Sequence, residues 1–360
     1  MAAPQPWWNK YEVQADPRNP QSSTAVKLFS LAGRNDADLA VDAAAVAAAE
    51  QRELAARPEA TAAAQRALYA RVQVPSFTLR DGHTIPAVGL GTWKAAPGEV
   101  HTALQAGYRH IDCASVYQNE EEVGGAVHHV LSAGLVPRSE LYLCGKVWNN
   151  DHAPARVRQA CLKSIQALRC EYLDLYLIHW PVTGSVGPEL RPSVRETWQA
   201  MEGLVREGLV RSIGVSNFGA RKLQDILGYA EIPPAVCQVE VHPYHRNDAL
   251  IAFCRAASIH VTAFSPLGSP DSASIFPRKK PLVLMEDETV RAVAKRTGKN
   301  VGQVLIRGNL DVLDWELSAA DYAALSTLPF QQRMVNGAMW LNPKGPYTSM
   351  EELWDEPELD

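Results

Sequence analysis

The chain has 360 residues, 46% of them hydrophobic, with 35 basic and 40 acidic side chains and a formal net charge of −5. This composition suits one large globular domain or two ordinary ones, and it provides no basic field for non-specific binding to nucleic acid or to an anionic membrane. The apolar runs are shorter than the roughly 18 residues that cross a bilayer, and no basic stretch followed by an apolar run opens the chain. We therefore expect a cytoplasmic protein that acts on small molecules, with neither nucleic acid nor membrane as a partner.

Residues 1–73 differ in composition from the rest of the chain. They contain 21 alanines, four early prolines and eight acidic residues. A helix capped by Asp36 and ended by Pro58 is predicted within an otherwise irregular or disordered segment. The acidic residues argue against a mitochondrial or chloroplast transit peptide, which is poor in acids. We interpret these residues as an appended extension that the fold does not need.

From Ser76 onward the pattern is typical of a folded domain. Two short strands flank Asp81 and Gly82, and an Asp-Gly pair favours the tight turn of a β-hairpin. After the hairpin, short apolar runs alternate with amphipathic stretches of helical length. The seven predicted strands are VGLGTW from Val88, HIDCA from His110, LYLCGKV from Leu141, LDLYLIHW from Leu173, SIGVS from Ser212, VCQVEV from Val236 and HVTAFSP from His260.

Amphipathic helices are predicted between these strands, over residues 120–133, 154–168 and 193–206. Near-continuous apolar strands, each followed by a crossover of helical length, favour a parallel sheet covered by helices. The sequence has neither a G-x-G-x-x-G nor a G-x-x-x-x-G-K-[ST] motif, which disfavours a doubly wound nucleotide-binding fold. The predicted fold is therefore an α/β fold of the (β/α)8 barrel type.

Four ionisable side chains lie near the ends of predicted strands, where such a barrel carries its functional groups. They are Asp112, Tyr117, Lys146 and His179. Taken singly, Asp112 can cap a turn, Tyr117 can pack in a loop and His179 can be a hydrogen-bonded core histidine. Lys146 is harder to explain as structural, because a buried ammonium needs a carboxylate partner or water, and Asp112 is the candidate partner.

Together these four groups suit the reduction of a carbonyl. A phenol has an ordinary pKa near 10, and a cation such as Lys146 beside it favours proton exchange at neutral pH. Asp112 is then expected to hold Lys146, and a neutral His179 to bind and orient the substrate carbonyl. No side chain donates a hydride, so the reaction requires a reduced nicotinamide.

The successive motifs resemble those of the aldo-keto reductase superfamily over about residues 75–350. In that family's order the chain has GLGTWK, GYRHIDCASVYQNEEEVG, LYLCGKVWN, YLDLYLIHWP, IGVSNF, CQVEVHPY and SPLG. The resemblance implies a catalytic tetrad of Asp112, Tyr117, Lys146 and His179, with Tyr117 as the proton donor. It also implies NADPH (NADP+) as the cofactor without a metal, a small carbonyl substrate and a monomeric barrel.

The same resemblance implies cofactor and substrate contacts. Ser216, Asn217 and Gln238 match residues that hold the nicotinamide carboxamide. Phe264 stands where the family usually has a tyrosine that stacks on the nicotinamide, so an aromatic face is kept. The remaining matches are Ser265 and Leu267 near the pyrophosphate, Asn309 at the adenine, and Trp93, Val116, Trp148 and Trp180 as apolar walls of a substrate pocket. Rim packing is the alternative role for these tryptophans.

The chain departs from the family after Arg307. There the family has about twenty further residues, with the eighth barrel strand and the groups that grip the adenosine 2′-phosphate. Here Gly308 follows at once. We therefore expect a barrel that lacks or substitutes its eighth strand and leaves two strand edges unpaired. Residues 310–317 are a poor candidate for the missing strand, because their apolar spacing shifts phase.

A basic loop after the seventh strand is a candidate substitute for the missing phosphate contacts. It contains Arg278, Lys279 and Lys280, which in barrel order lie near the cofactor. The alternative, a solvated basic loop without a ligand, is favoured because charge runs are usually solvated.

Cysteines and paired histidines are predicted to be structural. No C-x-x-C pair occurs, and the six cysteines, interpreted as reduced thiols, are Cys113, Cys144, Cys161, Cys170, Cys237 and Cys254. His242 and His245 lie beside Pro243 without a third candidate ligand nearby, so loop packing is favoured over a metal site.

The sequence thus predicts three parts: an extension over 1–73, a barrel over 74–328, and a tail over 329–360 that shapes the substrate site. The predicted function is the NADPH-dependent reduction of an aldehyde or ketone to an alcohol. The alternative is a non-catalytic barrel with a regulatory or interaction role, in which the tetrad is a relic. A metal-dependent hydrolase is disfavoured, because the His and Asp ligand set is missing.

Overall fold

The structure is a computed structural model that describes residue 69 and residues 75–184, 187–306 and 315–356. An antiparallel hairpin of β1 (Ser76–Thr78) and β2 (Thr84–Pro86) comes first. In its turn Gly82 has a left-handed φ of 86°, and Asp81 Oδ1 accepts the backbone N–H of His83 at 3.1 Å. The Asp-Gly hairpin predicted from the sequence is therefore present.

A seven-stranded parallel sheet follows, with its strands in chain order. The strands are β3 (Gly89–Gly91), β4 (His110–Asp112), β5 (Tyr142–Val147), β6 (Leu173–Ile178), β7 (Val210–Ser216), β8 (Val236–Glu240) and β9 (His260–Phe264). All seven predicted strands are confirmed, and β7 begins two residues earlier than expected. The sheet curls into a nearly closed barrel of the (β/α)8 type.

Helices connect the strands and also follow the last strand. They are α1 (Glu99–Gln105), α2 (Glu120–Ser132), α3 (Pro154–Ala167), α4 (Val194–Arg206), α5 (Ala220–Leu227), α6 (Asp248–Ala256), α7 (Glu288–Thr297), α8 (Val301–Leu305), α9 (Ala319–Ser326) and α10 (Met350–Trp354). The three predicted helices are confirmed as α2, α3 and α4 to within one residue at each end. Local chemistry sets their starts, because α3 begins with Pro154 and α4 begins at a capping box of Ser193 and Glu196. None of the helices within the described ranges is long and apolar enough to cross a membrane.

The core has two layers. Inside the barrel, Cys144, Leu175 and Leu177 pack with Leu79 and Ile85 of the hairpin, which closes the base. Outside the sheet, apolar faces of the helices pack on alternate strand residues in one large cluster. Every residue of β5 and β6 is buried, which explains why these strands are continuous apolar runs.

The barrel has a seam between its two edge strands, β3 and β9. No strand lies between these edges in the part of the chain that the structure describes. All residues of β9 are half-buried or exposed, in contrast to the central strands. Of the candidate substitute strand, residues 310–314 lie outside the described residues, whereas Trp315 and Leu317 pack against the cluster around Val290 and form no strand.

Tyr69 lies inside the segment assigned to the N-terminal extension, yet it is buried against the barrel. Its hydroxyl is 3.0 Å from His101 Nε2 on α1, and its carbonyl accepts an N–H from the Arg109 guanidinium. Arg109 is itself buried and donates to the carbonyls of Leu104 and Tyr108 at 3.0 and 2.8 Å. The packing of the barrel therefore extends at least to Tyr69.

This contact distinguishes two truncations of the chain. We expect a chain that begins at residue 68 to keep the stability of the full protein. A chain that begins at residue 75 is expected to lose about 1–3 kcal/mol, because the buried Arg109 guanidinium loses an acceptor. Denaturant unfolding of the two chains measures the difference. Equal stabilities of the two chains would show that the contact between Tyr69 and Arg109 does not stabilise the barrel.

Candidate active site

The four ionisable side chains predicted from the sequence meet at the carboxyl end of the sheet. Asp112 ends β4, Tyr117 lies in a 3₁₀ turn over Ser115–Tyr117, Lys146 is in β5, and His179 directly follows β6. The strand register brings them together. Asp112 is paired with Cys144, and Lys146, two residues further along β5, points to the same side of the sheet.

Lys146 and Asp112 form an ion pair inside the barrel. Lys146 is fully buried, contacts Asp112 Oδ1 and donates to the carbonyl of Cys113 at 2.9 Å. Burial alone acts to lower the pKa of Lys146, but the Asp112 carboxylate raises it above its ordinary value. Burial acts to raise the pKa of Asp112, but the ammonium and its hydrogen bond lower it below its ordinary value. Both side chains are therefore charged at neutral pH.

Tyr117 is protonated beside this pair. Lys146 Nζ lies 5.3 Å from the centre of the Tyr117 ring, and that ring stands edge-on to the His179 imidazole with 5.8 Å between centroids. Burial raises the pKa of Tyr117 and the Lys146 cation lowers it, with a net rise to about 12. The sequence argument considered the cation alone, whereas burial has the larger effect here. The phenol therefore keeps a proton that it can donate.

His179 is neutral. Burial, followed by the nearby Lys146 and His152, holds its pKa well below the ordinary value. Its Nδ1 is buried and has no hydrogen-bond partner among the described residues. A neutral imidazole carries one N–H, so at this position it can donate to a carbonyl oxygen without adding charge.

Thr92 and Asn119 hold the tetrad in place, and the sequence analysis did not single them out. The backbone N–H and the hydroxyl of Thr92 both donate to the carbonyl of Asp112 at 3.0 Å. Asn119 Nδ2 donates to the carbonyl of Thr92 at 2.8 Å, which fixes the turn that carries Tyr117. The sequence signal that could have identified Thr92 is its polar side chain within the otherwise apolar run GLGTW.

Ser216, Asn217 and Gln238 form a second polar group next to the tetrad. Asn217 has a left-handed φ of 62°, and its Nδ2 donates to the carbonyl of His179 at 3.0 Å and to Ser216 Oγ at 3.2 Å. Gln238 Nε2 donates to Asp112 Oδ2 at 2.7 Å. Asn217 Oδ1 is buried and has no partner within the described ranges. A buried acceptor without a donor fits a primary amide such as the nicotinamide carboxamide.

The other residues predicted to contact the cofactor lie at the end of the last strand or after it. Phe264 ends β9 and is half-buried. The chain then turns at Ser265, which has a left-handed φ of 50° and accepts the N–H of Gly268 at 2.8 Å, and Leu267 within this turn is half-buried. Asn309 lies outside the described residues.

The basic loop after β9 is held by internal contacts. The Arg278 guanidinium donates to the carbonyl of Ser269 and to Ser272 Oγ at 2.9 Å. Lys280 Nζ lies 4.1 Å from the centre of the Phe330 ring, and Lys279 also has a partner. These contacts favour a structural role for the loop over a substitute phosphate clamp.

The residues predicted to line the substrate pocket differ in their exposure to solvent. Trp93, Val116 and Trp148 are half-buried, and the Trp148 ring lies 5.2 Å from the His179 ring at 74°. Trp180 is only 4% exposed, so it supports the wall from behind instead of offering a face.

Trp340 is a buried aromatic residue that packs behind Trp148, and the sequence analysis did not single it out. It belongs to the tail, and its ring lies 5.8 Å from Trp148 and 5.9 Å from Trp180. Because this part of the tail has an irregular structure, its sequence shows no periodic pattern that singles out Trp340. From the sequence, only the tail as a whole could therefore be assigned to the substrate site.

The cysteines and the two paired histidines have the surroundings of residues with a structural role. The six thiols are free, five of them are buried and Cys170 is half-buried. His242 Nε2 is 2.7 Å from Glu240 Oε1, and the backbones of His242 and His245 are hydrogen-bonded to each other. In the described part of the chain no group of three or more His, Cys, Asp or Glu is arranged to hold a metal ion.

Sequence comparisons show where this chain has relatives. A family model described as Aldo/keto reductase family matches residues 89–320. An aldo/keto reductase of Synechocystis sp. is 40% identical over 315 residues, covering 78% of this chain and 96% of that protein. Aldo-keto reductase family 1 member A1 of Rattus norvegicus is 45% identical over 249 residues, covering 64% of this chain and 76% of that protein. The alignment with the Synechocystis protein has 315 positions but covers only 78% of this chain, which is fewer than 315 residues. The Synechocystis protein therefore has residues that this chain lacks.

Solved structures agree with these relatives. The Bombyx mori aldo-keto reductase in complex with NADP matches with a TM-score of 0.66 and 35% identity, covering 75% of this chain and 97% of that one. The aldose reductase from Schistosoma japonicum matches with a TM-score of 0.66 and 33% identity, covering 76% and 99%.

Proposed function

The chain belongs to the aldo/keto reductase family, and from this membership we propose that it reduces a small aldehyde or ketone to an alcohol, with NADPH as the cofactor and Tyr117 as the proton donor. The observation that carries the proposal is the position of a protonated Tyr117 between the Lys146–Asp112 ion pair and a neutral His179.

The proton that the carbonyl oxygen receives comes from the chain's own residues. The substrate carbonyl oxygen binds between the Tyr117 hydroxyl and the His179 imidazole, which orient it by hydrogen bonds. As negative charge develops on that oxygen, Tyr117 transfers its proton to it. The Lys146 ammonium then stabilises the phenolate, and Asp112 keeps Lys146 in place. Trp148 provides an apolar wall beside His179.

The polar group of Ser216, Asn217 and Gln238 is the proposed site for the nicotinamide carboxamide. Asn217 Oδ1 is the acceptor available for its amide. Phe264 is proposed to stack on the ring, and Ser265 and Leu267 to line the path of the pyrophosphate. When bound, the reduced nicotinamide supplies the hydride that the chain lacks.

A non-catalytic barrel is the second candidate. It is favoured by the departure from the family after Arg307. Incubating the protein with NADPH and an aromatic aldehyde, then identifying products by chromatography, separates the two. Formation of the alcohol supports the reductase, whereas no alcohol, together with no change of tryptophan fluorescence on titration with NADPH, supports the non-catalytic barrel.

We expect weak binding of NADPH and little discrimination between NADPH and NADH. Each charge-assisted hydrogen bond to the 2′-phosphate is worth roughly 1.5–3 kcal/mol, so the loss of two or three removes several orders of magnitude in affinity. Titration of tryptophan fluorescence with both cofactors gives the two dissociation constants. The matched control is a chain with a family-like segment inserted between Arg307 and Gly308, which is expected to regain selectivity for NADPH. Tight and selective binding by the unaltered chain would contradict the expectation.

A further inference from the structure

Helix α10 of the tail meets helix α5 end to end through a reciprocal pair of caps. Lys222 Nζ donates to the carbonyls of Glu352 and Leu353 at 2.8 and 3.0 Å and pairs with Asp355 Oδ1 at 2.6 Å. Asp355 Oδ2 in turn accepts the backbone N–H of Lys222 at 3.1 Å, in the first turn of α5. A cation thus meets the carbonyl end of one helix, and an anion meets the N–H end of the other.

The contact is close and largely excludes water. The side chains of Lys222 and Asp355 are 13% and 7% exposed. Gly219, which precedes α5, touches the tail directly, because a Cβ there would lie 2.3 Å from the carbonyl oxygen of Trp354. Its φ of −82° suits any residue, so space for the tail, and not backbone conformation, requires a glycine here.

Aromatic contacts connect this junction to the proposed substrate pocket. Trp354 Nε1 donates to the carbonyl of Asn336 at 2.7 Å, and the Trp354 ring lies 5.7 Å from Trp180. Trp180 packs on Trp340, and Trp340 packs on Trp148, which stands beside His179. The position of α10 therefore affects the support that Trp340 gives to Trp148.

At its other end the junction is close to the proposed cofactor site. Helix α5 begins three residues after Asn217, whose side chain is hydrogen-bonded to the carbonyl of His179. The same junction thus anchors the tail to the segment that carries Ser216 and Asn217, which gives the tail a rigid support next to the reacting groups.

We propose that Gly219, Lys222 and Asp355 form a latch that determines substrate selectivity. The latch fixes the tail so that Trp340 holds Trp148 in place as a wall for bulky apolar carbonyl substrates, whereas small aldehydes need only Tyr117 and His179. The three residues are positioning residues that do not touch the substrate. The inference rests on the proposed reductase function and goes beyond it in naming what selects the substrate.

Kinetics with two aldehydes test the latch. Gly219→Ala, Lys222→Met and Asp355→Asn are expected to raise KM for 3-phenylpropanal by about tenfold and to leave kcat and KM for propanal within about twofold of the wild type. Arg221→Met is the matched control, because Arg221 is exposed on the same helix and loses the same charge. It is expected to change neither substrate's kinetics. Equal effects on both aldehydes, or none, would overturn the selectivity role.

Limited proteolysis tests the latch without any turnover. Lys344 is exposed in the tail between Trp340 and α10, so trypsin cleavage there reports on loosening of the tail. Cleavage is expected to be faster in the three latch variants than in the wild type and in Arg221→Met. Unchanged cleavage in Gly219→Ala and Asp355→Asn would overturn the latch. A wild type that reduces neither aldehyde contradicts the proposed reductase function instead, and proteolysis then decides the latch alone.

Discussion

Replacement of Tyr117 by phenylalanine is expected to lower kcat for carbonyl reduction by about 10²–10⁴, with the dissociation constant of the cofactor nearly unchanged. The ring and its edge-on contact with His179 remain, and only the hydroxyl that carries the transferable proton is lost. Because burial raises the pKa of Tyr117 to about 12, the phenol is the form present at neutral pH, and its loss affects the whole population of molecules.

Steady-state kinetics with an aromatic aldehyde measure this effect. Tyr322→Phe is the matched control, because Tyr322 is 66% exposed on α9 and undergoes the same chemical change. A Tyr117→Phe variant with more than half of the wild-type activity would remove Tyr117 from the role of proton donor.

Replacement of Lys146 by methionine is expected to affect both activity and stability. The Asp112 carboxylate then stays in the barrel without its cation, which destabilises the fold by about 3–5 kcal/mol. A double variant, Lys146→Met with Asp112→Asn, removes both charges, so it is expected to recover part of the free energy of unfolding. It is not expected to recover activity, because the phenolate of Tyr117 still has no cation beside it.

Denaturant unfolding of the two single variants and the double variant gives the coupling free energy of the pair. Lys163→Met, at an exposed position on α3, controls for the loss of a lysine. Additive effects of the two substitutions on stability would show that Lys146 and Asp112 do not stabilise each other.

The barrel and its tetrad are predictable from the sequence because each depends on a local pattern. Strands such as β5 and β6 are buried on both faces, so their sequences are nearly continuous apolar runs. Lys146 is conspicuous as a charged residue within one of these runs. Parallel strands align their carboxyl ends, so polar residues near those ends converge once the fold is known.

Features that depend on contacts between distant residues are not predictable in this way. The net pKa of Tyr117 is a balance of burial against the charge of Lys146, and the sequence shows only the charge. Lys222 and Asp355 are more than 130 positions apart, and neither belongs to a recognisable motif. Tyr69 lies within an alanine-rich segment, where one tyrosine gives no sign of the Arg109 side chain that it contacts.

The central claim, that this chain transfers a hydride from a nicotinamide to a carbonyl, is tested most directly with an isotope. The protein is incubated with an aromatic aldehyde and NADPH that carries deuterium on both C4 positions of the nicotinamide, and the alcohol is examined by mass spectrometry. The predicted result is an alcohol with one deuterium on its carbinol carbon, formed by the wild type and almost absent with Tyr117→Phe. An alcohol without deuterium, or no alcohol from a wild type that binds the cofactor, would contradict the claim.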